Sequence, residues 1–398
     1  MNAIRITEGI HWVGVNDRET DLFEAIWPIP DGIAYNAYVV DDERVAVVDT
    51  VKASGFGSFL SNLRTAIGPD RDVDYLIINH IEPDHSGSAR LMREVFPDVT
   101  IVGNRMTLEF LSHLYGIDEN VLQVSDGDEL ELGERTLQFL LAPMVHWPET
   151  MVTWDPADRV LFSGDAFGAF GALDGAIFDD QLDVDRLEEE ILRYFANIIG
   201  KFCTPVQKAI ERVRGLDLSV VASTHGPVWR DDPWRIVDCY DRLARQETEP
   251  EVVVVYGSMY GNTTAMMEAV CSGLREGGCP TVRVHDASRS HVSYILRDAW
   301  RAAGLIIGTA TYDQKIFPPI EHLVNYLEAK RLVGRALGLF GTYGWSGGGV
   351  EGLEEFGERC NFDLVEPVVE ARFMAKDDDL KECVELGRAM ADRVAPQQ

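Results

Sequence analysis

Seven histidine, aspartate and glutamate residues in the first 225 positions constrain this chain more than any other feature, because each closely follows a short apolar, β-like run. The run Tyr75–Ile78 leads into NHIEPDHSGS, which places His80, Glu82, Asp84 and His85 within six residues on one loop before a helical stretch. His146 follows Leu137–Leu141, Asp165 follows Val160–Phe162, and His225 follows Val220–Ala222. A loop leaving a buried strand is where irregular backbone can turn several side chains toward one point, and Pro83 and Gly87 help fix that path. A lone histidine after a strand is usually a cap or a satisfied core residue. Seven such residues together predict a metal site built at strand ends. His11, His113, His285, His291 and His322 lack such company and read as surface or packing residues.

A chain of 398 residues exceeds one ordinary core, so two domains are expected. The stretch Arg242–Glu251, RLARQETEPE, is polar and charged and carries Pro250, which puts the seam there and the domains at 1–249 and 250–398. Before it, β-like runs at Val45–Val48, Tyr75–Ile78, Val99–Val102, Leu137–Leu141 and Val160–Phe162 alternate with helical patterns such as Ser88–Val95 and Leu187–Ile199. After it, Val252–Tyr256, Thr281–Val284, Gly304–Ile307 and Leu337–Phe340 alternate with helices beginning near Thr263, Val292, Pro319 and Gly349, the grammar of a doubly wound parallel sheet. No apolar run approaches ~18 residues, so no membrane span is expected. The N-terminus MNAIRITEGIHWVGV lacks a signal-peptide block, which predicts a cytoplasmic protein. A net charge of −30 excludes nucleic acid and anionic membrane surfaces as partners. Six cysteines without a CxxC pair exclude a zinc-ribbon or rubredoxin-like module and read as buried thiols.

In the second half EVVVVYG runs directly into SMYGNTTAMMEAV, so Ser258, Met259, Tyr260, Gly261, Asn262 and Thr263 form a tight turn at a helix start. Backbone N–H groups, small hydroxyls and the positive helix end suit a phosphate without a lysine, and the absence of GxxxxGK[ST] argues against a P-loop. Two more loops follow β-like runs: Thr309, Ala310, Thr311, Tyr312 and Asp313, and then Thr342, Tyr343, Gly344, Trp345, Ser346 and Gly347 within TYGWSGG. Ligands of open α/β sheets sit beyond the carboxyl ends of the strands, so the three loops converge on one crevice. The bland alternatives are a plain βα turn and, for Tyr343 and Trp345, core aromatics.

The first loop resembles that of the metallo-β-lactamase superfamily, which reads HxHxDH where this chain has HxExDH. Glu82 puts an anionic oxygen donor in place of an imidazole, so Glu82, Asp84 and Asp165 supply three negative charges, a set better suited to iron than to zinc. That change, with MVHWPET around His146, SGDAFG around Asp165 and THGPVWR around His225, resembles the flavodiiron proteins, and the second half resembles flavodoxin. The resemblance covers nearly the whole chain. It implies an N-terminal metallo-β-lactamase-like αββα sandwich and a C-terminal flavodoxin-like doubly wound parallel sheet. It further implies two iron ions, one held by His80, Glu82 and His146 and the other by Asp84, His85 and His225, with Asp165 between them. Asp49, in VAVVDT, would support the loops through hydrogen bonds, and Trp147 and Tyr194 would be pocket residues or core. FMN would occupy the crevice, with GxYGWSGG on its isoalloxazine. Relatives often read SPT at Ala310-Thr311, which leaves the ring contacts there less defined than the phosphate contacts.

The function implied is reduction of O2 to water, of NO to nitrous oxide, or of both, with electrons relayed through FMN. Because no rubredoxin module follows residue 398, a separate donor is implied, rubredoxin or a reduced deazaflavin. The resemblance also implies a head-to-tail homodimer or a dimer of dimers. Two rival readings differ in class. One is a zinc hydrolase with an accessory flavodoxin-like domain. The other is a flavin electron carrier or O2 sensor with a vestigial metal site, which would require a missing ligand.

Overall fold

Val45–Val48 is buried at every residue, which a strand can be only if both of its faces are covered. Ala46 and Val48 point into an apolar core that also contains Ile77 and Val102 from neighbouring strands and Phe139, Met151, Val160 and Phe162 from a second sheet. The computed structural model, which describes residues 2–395, therefore builds its first unit, Met1–Ala244, from two sheets packed face to face. One has seven strands in the order Ile4–Thr7, Ile10–Trp12, Tyr38–Asp41, Val45–Val48, Tyr75–Ile77, Thr100–Asn104 and Val121–Val124. The other has six, in the order Glu129–Glu131, Thr136–Leu141, Met151–Asp155, Val160–Gly164, Val220–Ser223 and Val228–Trp229. Amphipathic helices, among them Phe56–Ile67, Arg105–Tyr115, Cys203–Val213 and Pro233–Ala244, each bury one stripe. Helices and sheets together make the αββα sandwich expected.

Parallel pairing brings the candidate loops to one edge. Tyr75–Ile77 runs parallel to Val45–Val48, and Val160–Gly164 runs parallel to Val220–Ser223, so the segments carrying Asp165 and His225 leave side by side. The expected helix Leu187–Ile199 is an α-helix only over Val184–Tyr194 and continues as a π-helical turn over Phe195–Ile199. Asn197 Nδ2 donates to the Arg193 carbonyl at 2.7 Å there. Such π turns recur at functional sites.

The second unit, Arg245–Gln398, is a five-stranded parallel sheet in the order Thr281–Asp286, Glu249–Tyr256, Ala302–Tyr312, Ala336–Tyr343 and Asp363–Arg372. Val252, Val254, Ile306 and Phe340 meet Met266, Val270, Leu386 and Met390 of helices Asn262–Glu276 and Asp377–Val394 in its core. The strand order reverses beside Glu249–Tyr256, which opens a crevice at the carboxyl ends of the strands. The first unit ends at Ala244 and the second begins at Arg245, within the polar stretch Arg242–Glu251. Gln246 already belongs to the second unit: its Nε2 donates to the Arg331 carbonyl and its Oε1 accepts from Val333 N, both at 2.9 Å. Thr309–Tyr312, expected as a loop, extends its strand by pairing with Gly341 and Thr342 and folding back onto Lys315–Ile316. Among the described residues no helix is long and apolar enough to cross a membrane.

Asp17 ends a short strand, Val15–Asp17, just before the hairpin Leu22–Pro28. Its carboxylate accepts from Glu19 N, Thr20 N and Thr20 Oγ1 and pairs with the Lys52 ammonium. Burial alone would raise its pKa, but Lys52 and the Thr20 and backbone donors hold it down at about 2. A folded pKa below the unfolded value of about 3.9 contributes stability that is complete above that pH and is lost as the pH falls through about 2. Asp17→Asn should therefore flatten the acid limb of stability in urea melts between about pH 4 and pH 2. Identical slopes for the two proteins would show that the contact does not contribute.

Candidate functional site

Asn79 holds the first loop between the two sheets. Its N–H donates to Asp49 Oδ1 at 2.8 Å, its Nδ2 to the Phe162 carbonyl at 3.2 Å, and its Oδ1 accepts from Thr153 Oγ1 at 2.7 Å. Pro83 then opens a one-turn helix, Pro83–Ser86, in which Ser86 Oγ caps the Ile81 carbonyl at 2.6 Å. Gly87 is required where it stands, because a Cβ would lie 2.3 Å from the Pro83 carbonyl. Thr50 donates to the His85 carbonyl from both N and Oγ1.

These constraints bring all seven candidate side chains together in two groups. His80, Glu82, His146 and Asp165 place donor atoms within 4.8 Å of one another, as do Asp84, His85 and His225. Asp165 serves both groups. Its Oδ2 lies 3.1 Å from His146 Nε2 and 3.6 Å from His80 Nε2, while its Oδ1 lies 2.9 Å from His85 Nε2 and 3.6 Å from His225 Nε2. Glu82 Oε2 approaches His146 and His80 at 3.1 and 3.2 Å, and Asp84 faces His85 and His225 at 3.3 and 3.4 Å. His80, His85, His225 and Asp165 have no solvent exposure.

Three carboxylates in so dry a site need positive charge beside them. Burial would depress His85, yet Asp84 and Asp165 lift it to about 9; His146 is lifted to about 9 by Asp165 and Glu82 against the same burial. Burial would raise Asp165, but His85 and His146 pull it well below the carboxylate range. Both Asp84 oxygens and the Nε2 atoms of His85 and His225 have no hydrogen-bond partner, so these buried atoms suit metal coordination.

The far nitrogens aim the rings. His80 Nδ1 lies 2.7 Å from Glu149 Oε1, and His225 Nδ1 lies 2.8 Å from the Ala34 carbonyl, which turns both Nε2 atoms inward. Glu149 was not among the residues expected, although it stands in MVHWPET; its signal was a carboxylate 1% exposed, legible only once the fold buries it. Asp49 lies outside both groups and serves Asn79. Trp147 packs edge-on to His80 at 5.2 Å. Tyr194 is fully buried 5.6 Å from the His225 ring, and its hydroxyl has no partner. Phe23 and Tyr35, which carry no local sequence signal, complete the wall at 5.5 and 5.7 Å from His225.

In the second unit a cavity of about 460 Å³ lies at the strand ends. Ser258, Met259, Tyr260, Asn262 and Thr263 line one side, Ala310, Thr311, Tyr312 and Asp313 another, and Thr342, Tyr343, Gly344, Trp345 and Ser346 a third. Gln314 and Phe373 join them. Gly261, Thr309 and Gly347 do not line it. Gly261 supplies the left-handed cap, φ 92°, before helix Asn262–Glu276, and Thr309 is buried with its hydroxyl accepting from Phe317 N. Thr311 Oγ1 accepts from Gly349 N at 3.1 Å and keeps its proton to donate. Tyr260 and Trp345 are 90% and 87% exposed, so two flat rings stand unpacked beside a hydroxyl-rich turn at a helix N-terminus, which fits a planar ring carrying an anionic tail.

The geometry defines a metallo-β-lactamase-like metal domain joined to a flavodoxin domain. Residues 33–226 match the ODP family beta lactamase and residues 254–387 match flavodoxin. The nitric oxide reductase of Moorella thermoacetica is 33% identical over 397 residues, spanning 98% of this chain and 99% of that protein. The rubredoxin oxygen:oxidoreductase of Desulfovibrio gigas superposes with a TM-score of 0.94 at 31% identity, over 99% of this chain and 98% of its own. The flavodiiron protein of Giardia intestinalis does so with a TM-score of 0.94 at 29% identity, over 99% and 97%. The chain belongs to the flavodiiron proteins and is an oxidoreductase of that family. Its flavodoxin domain implies a flavin, and the buried cluster suits a diiron centre.

Loss of the Glu149 carboxylate should loosen the cluster without emptying the core. Glu149→Ala is expected to lower metal affinity by about 10- to 100-fold. Chelator competition measures this, and unchanged affinity would remove Glu149 from the site.

Proposed function

We propose that this chain reduces O2, NO or both at two irons, with electrons delivered through FMN from a redox donor, rubredoxin or a reduced deazaflavin. The observation that carries the reading is Asp165, which turns one carboxylate oxygen to each of two buried histidine and carboxylate groups. In this reading His80, Glu82 and His146 would hold one iron, Asp84, His85 and His225 would hold the other, and Asp165 would serve both groups. Paired irons would supply electrons to one small ligand held between them, and FMN would accept electrons singly and pass them on.

The remaining roles fall to the chain's own residues. Glu82 contributes negative charge where a hydrolase loop has a neutral imidazole, which favours iron. Glu149 and the Ala34 carbonyl orient His80 and His225. Burial first, then the Asp165 charge, keeps the Tyr194 phenol protonated, so its unpartnered O–H is available to donate to a bound gas. Phe23 against His225, Trp147 against His80, and Phe170 against Phe23 and Tyr194 would exclude water. In the second unit Ser258, Asn262 and Thr263 would take the flavin phosphate at the start of helix Asn262–Glu276, and Trp345 and Tyr260 would flank the ring. The Desulfovibrio gigas relative takes its name from rubredoxin, which supports rubredoxin as the donor. A head-to-tail homodimer belongs to the same reading.

Purified protein should be yellow, contain iron, and consume O2 or NO anaerobically supplied with reduced rubredoxin. Colourless protein holding only zinc would overturn the reading in favour of a hydrolase. Glu82→His should lower iron retention and turnover by about 10- to 100-fold or more, since even outer partners of a ligand are worth that much, while flavin stays bound. Trp345→Ala should weaken flavin binding about tenfold without changing metal content, as followed by flavin fluorescence.

A further inference from the structure

Arg193 is a cation only 1% exposed, and a guanidinium taken out of water is costly unless its donors are matched. Its Nε and Nη2 reach Glu190 Oε2 at 2.9 and 2.5 Å, and Nη1 donates to the Pro28 carbonyl at 2.8 Å. The guanidinium carbon lies 4.4 Å from the centroid of the Phe170 ring. Two of these contacts, those with Pro28 and Phe170, lead to the metal cluster. Pro28 ends the hairpin in which Phe23 pairs with Trp27, and Phe23 stands edge-on 5.5 Å from His225. Phe170 packs at 5.6 Å on Phe23 and 5.1 Å on Tyr194. Tyr194 follows Arg193 in the chain, at the end of the α-helix whose next turn Asn197 ties back to the Arg193 carbonyl.

The hairpin itself is a weak element. Among the described residues its two-residue strands pair only with each other, its turn carries Glu24 and Ala25 at φ 50° and 56°, and Leu22 and Ile26 face outward at 45% and 44% exposure. Such a segment opens readily unless something anchors it.

We propose that Arg193 is a positioning residue that latches the 22–28 hairpin, so that Phe23 and Phe170 keep water off the His225 face of the cluster. The planar fork is what the task needs, because one group must hold Glu190 and Pro28 while presenting a face to Phe170. Its consequence for turnover rests on the reading of this site as the place of gas reduction. A dry aromatic face favours a small apolar ligand over water, so releasing the hairpin weakens gas binding more than the chemical step.

The test compares wild type, Arg193→Lys and Arg193→Met as full-length, cofactor-loaded proteins. Hydrogen exchange at residues 22–28 should rise about tenfold in Arg193→Met and less in Arg193→Lys, with the rest of the unit unchanged. The KM for the gas should rise about 3- to 10-fold while kcat, iron and flavin content hold within about twofold. Unchanged exchange overturns the latch. Faster exchange with an unchanged KM overturns its role at the site. If Arg193→Met does not fold, Phe170→Leu removes the stacked face while keeping the Glu190 and Pro28 contacts, and it must shift KM in the same direction. Wild type that consumes neither gas would sink the functional reading alone, since exchange in that same protein still decides the latch.

Discussion

A carboxylate with no exposure, turned by one oxygen toward His146 and by the other toward His85, is unfavourable to build unless positive charge is held beside it. Much of the first unit serves that requirement. Gly164 ends its strand at φ 60° just before Asp165, and Thr224 Oγ1 donates to Asp165 Oδ1 at 2.7 Å. Parallel pairing of Val160–Gly164 with Val220–Ser223 brings His225 alongside. Four imidazoles then surround three carboxylates, and the shared Asp165 turns two groups of ligands into one site.

The immediate surroundings divide into a polar side and an aromatic side. On the polar side Glu149, Asn79, Thr50 and Thr224 fix loops by hydrogen bonds, so ring orientation costs no entropy when a metal arrives. On the aromatic side Phe23, Tyr35 and Tyr194 crowd His225, Phe170 packs behind Phe23 and Tyr194, and among their polar atoms the Tyr194 hydroxyl is left without a partner. A site walled this way is dry, and dryness strengthens every charge interaction inside it.

The second unit reaches its end by other means. Its crevice follows from strand order, and the turn at one side of it opens directly into helix Asn262–Glu276. The turn Ser258–Thr263 was legible because the apolar run EVVVVYG passes directly into small and polar residues at a helix start, and Gly261 there takes φ 92°. The extent of the Thr309–Tyr312 strand was not, because only its pairing with Ala336–Tyr343 and Lys315–Ile316 makes those residues extended.

The sequence by itself determined the chemistry and its address. Donor types, their place after apolar runs, the HxExDH departure and the division into two halves are local patterns, set by side-chain identity and by the period of burial. Only the tertiary structure decided which carboxylate is shared, which nitrogens point inward and what walls the site. His80 is aimed by Glu149, 69 residues away, and His225 by Ala34, 191 residues away. Phe23 and Arg193 become neighbours of the cluster through a hairpin carbonyl and an aromatic face that no spacing rule encodes. Contacts between residues so distant in the chain have no local signature, because their energies exist only after both partners lose water in the same place.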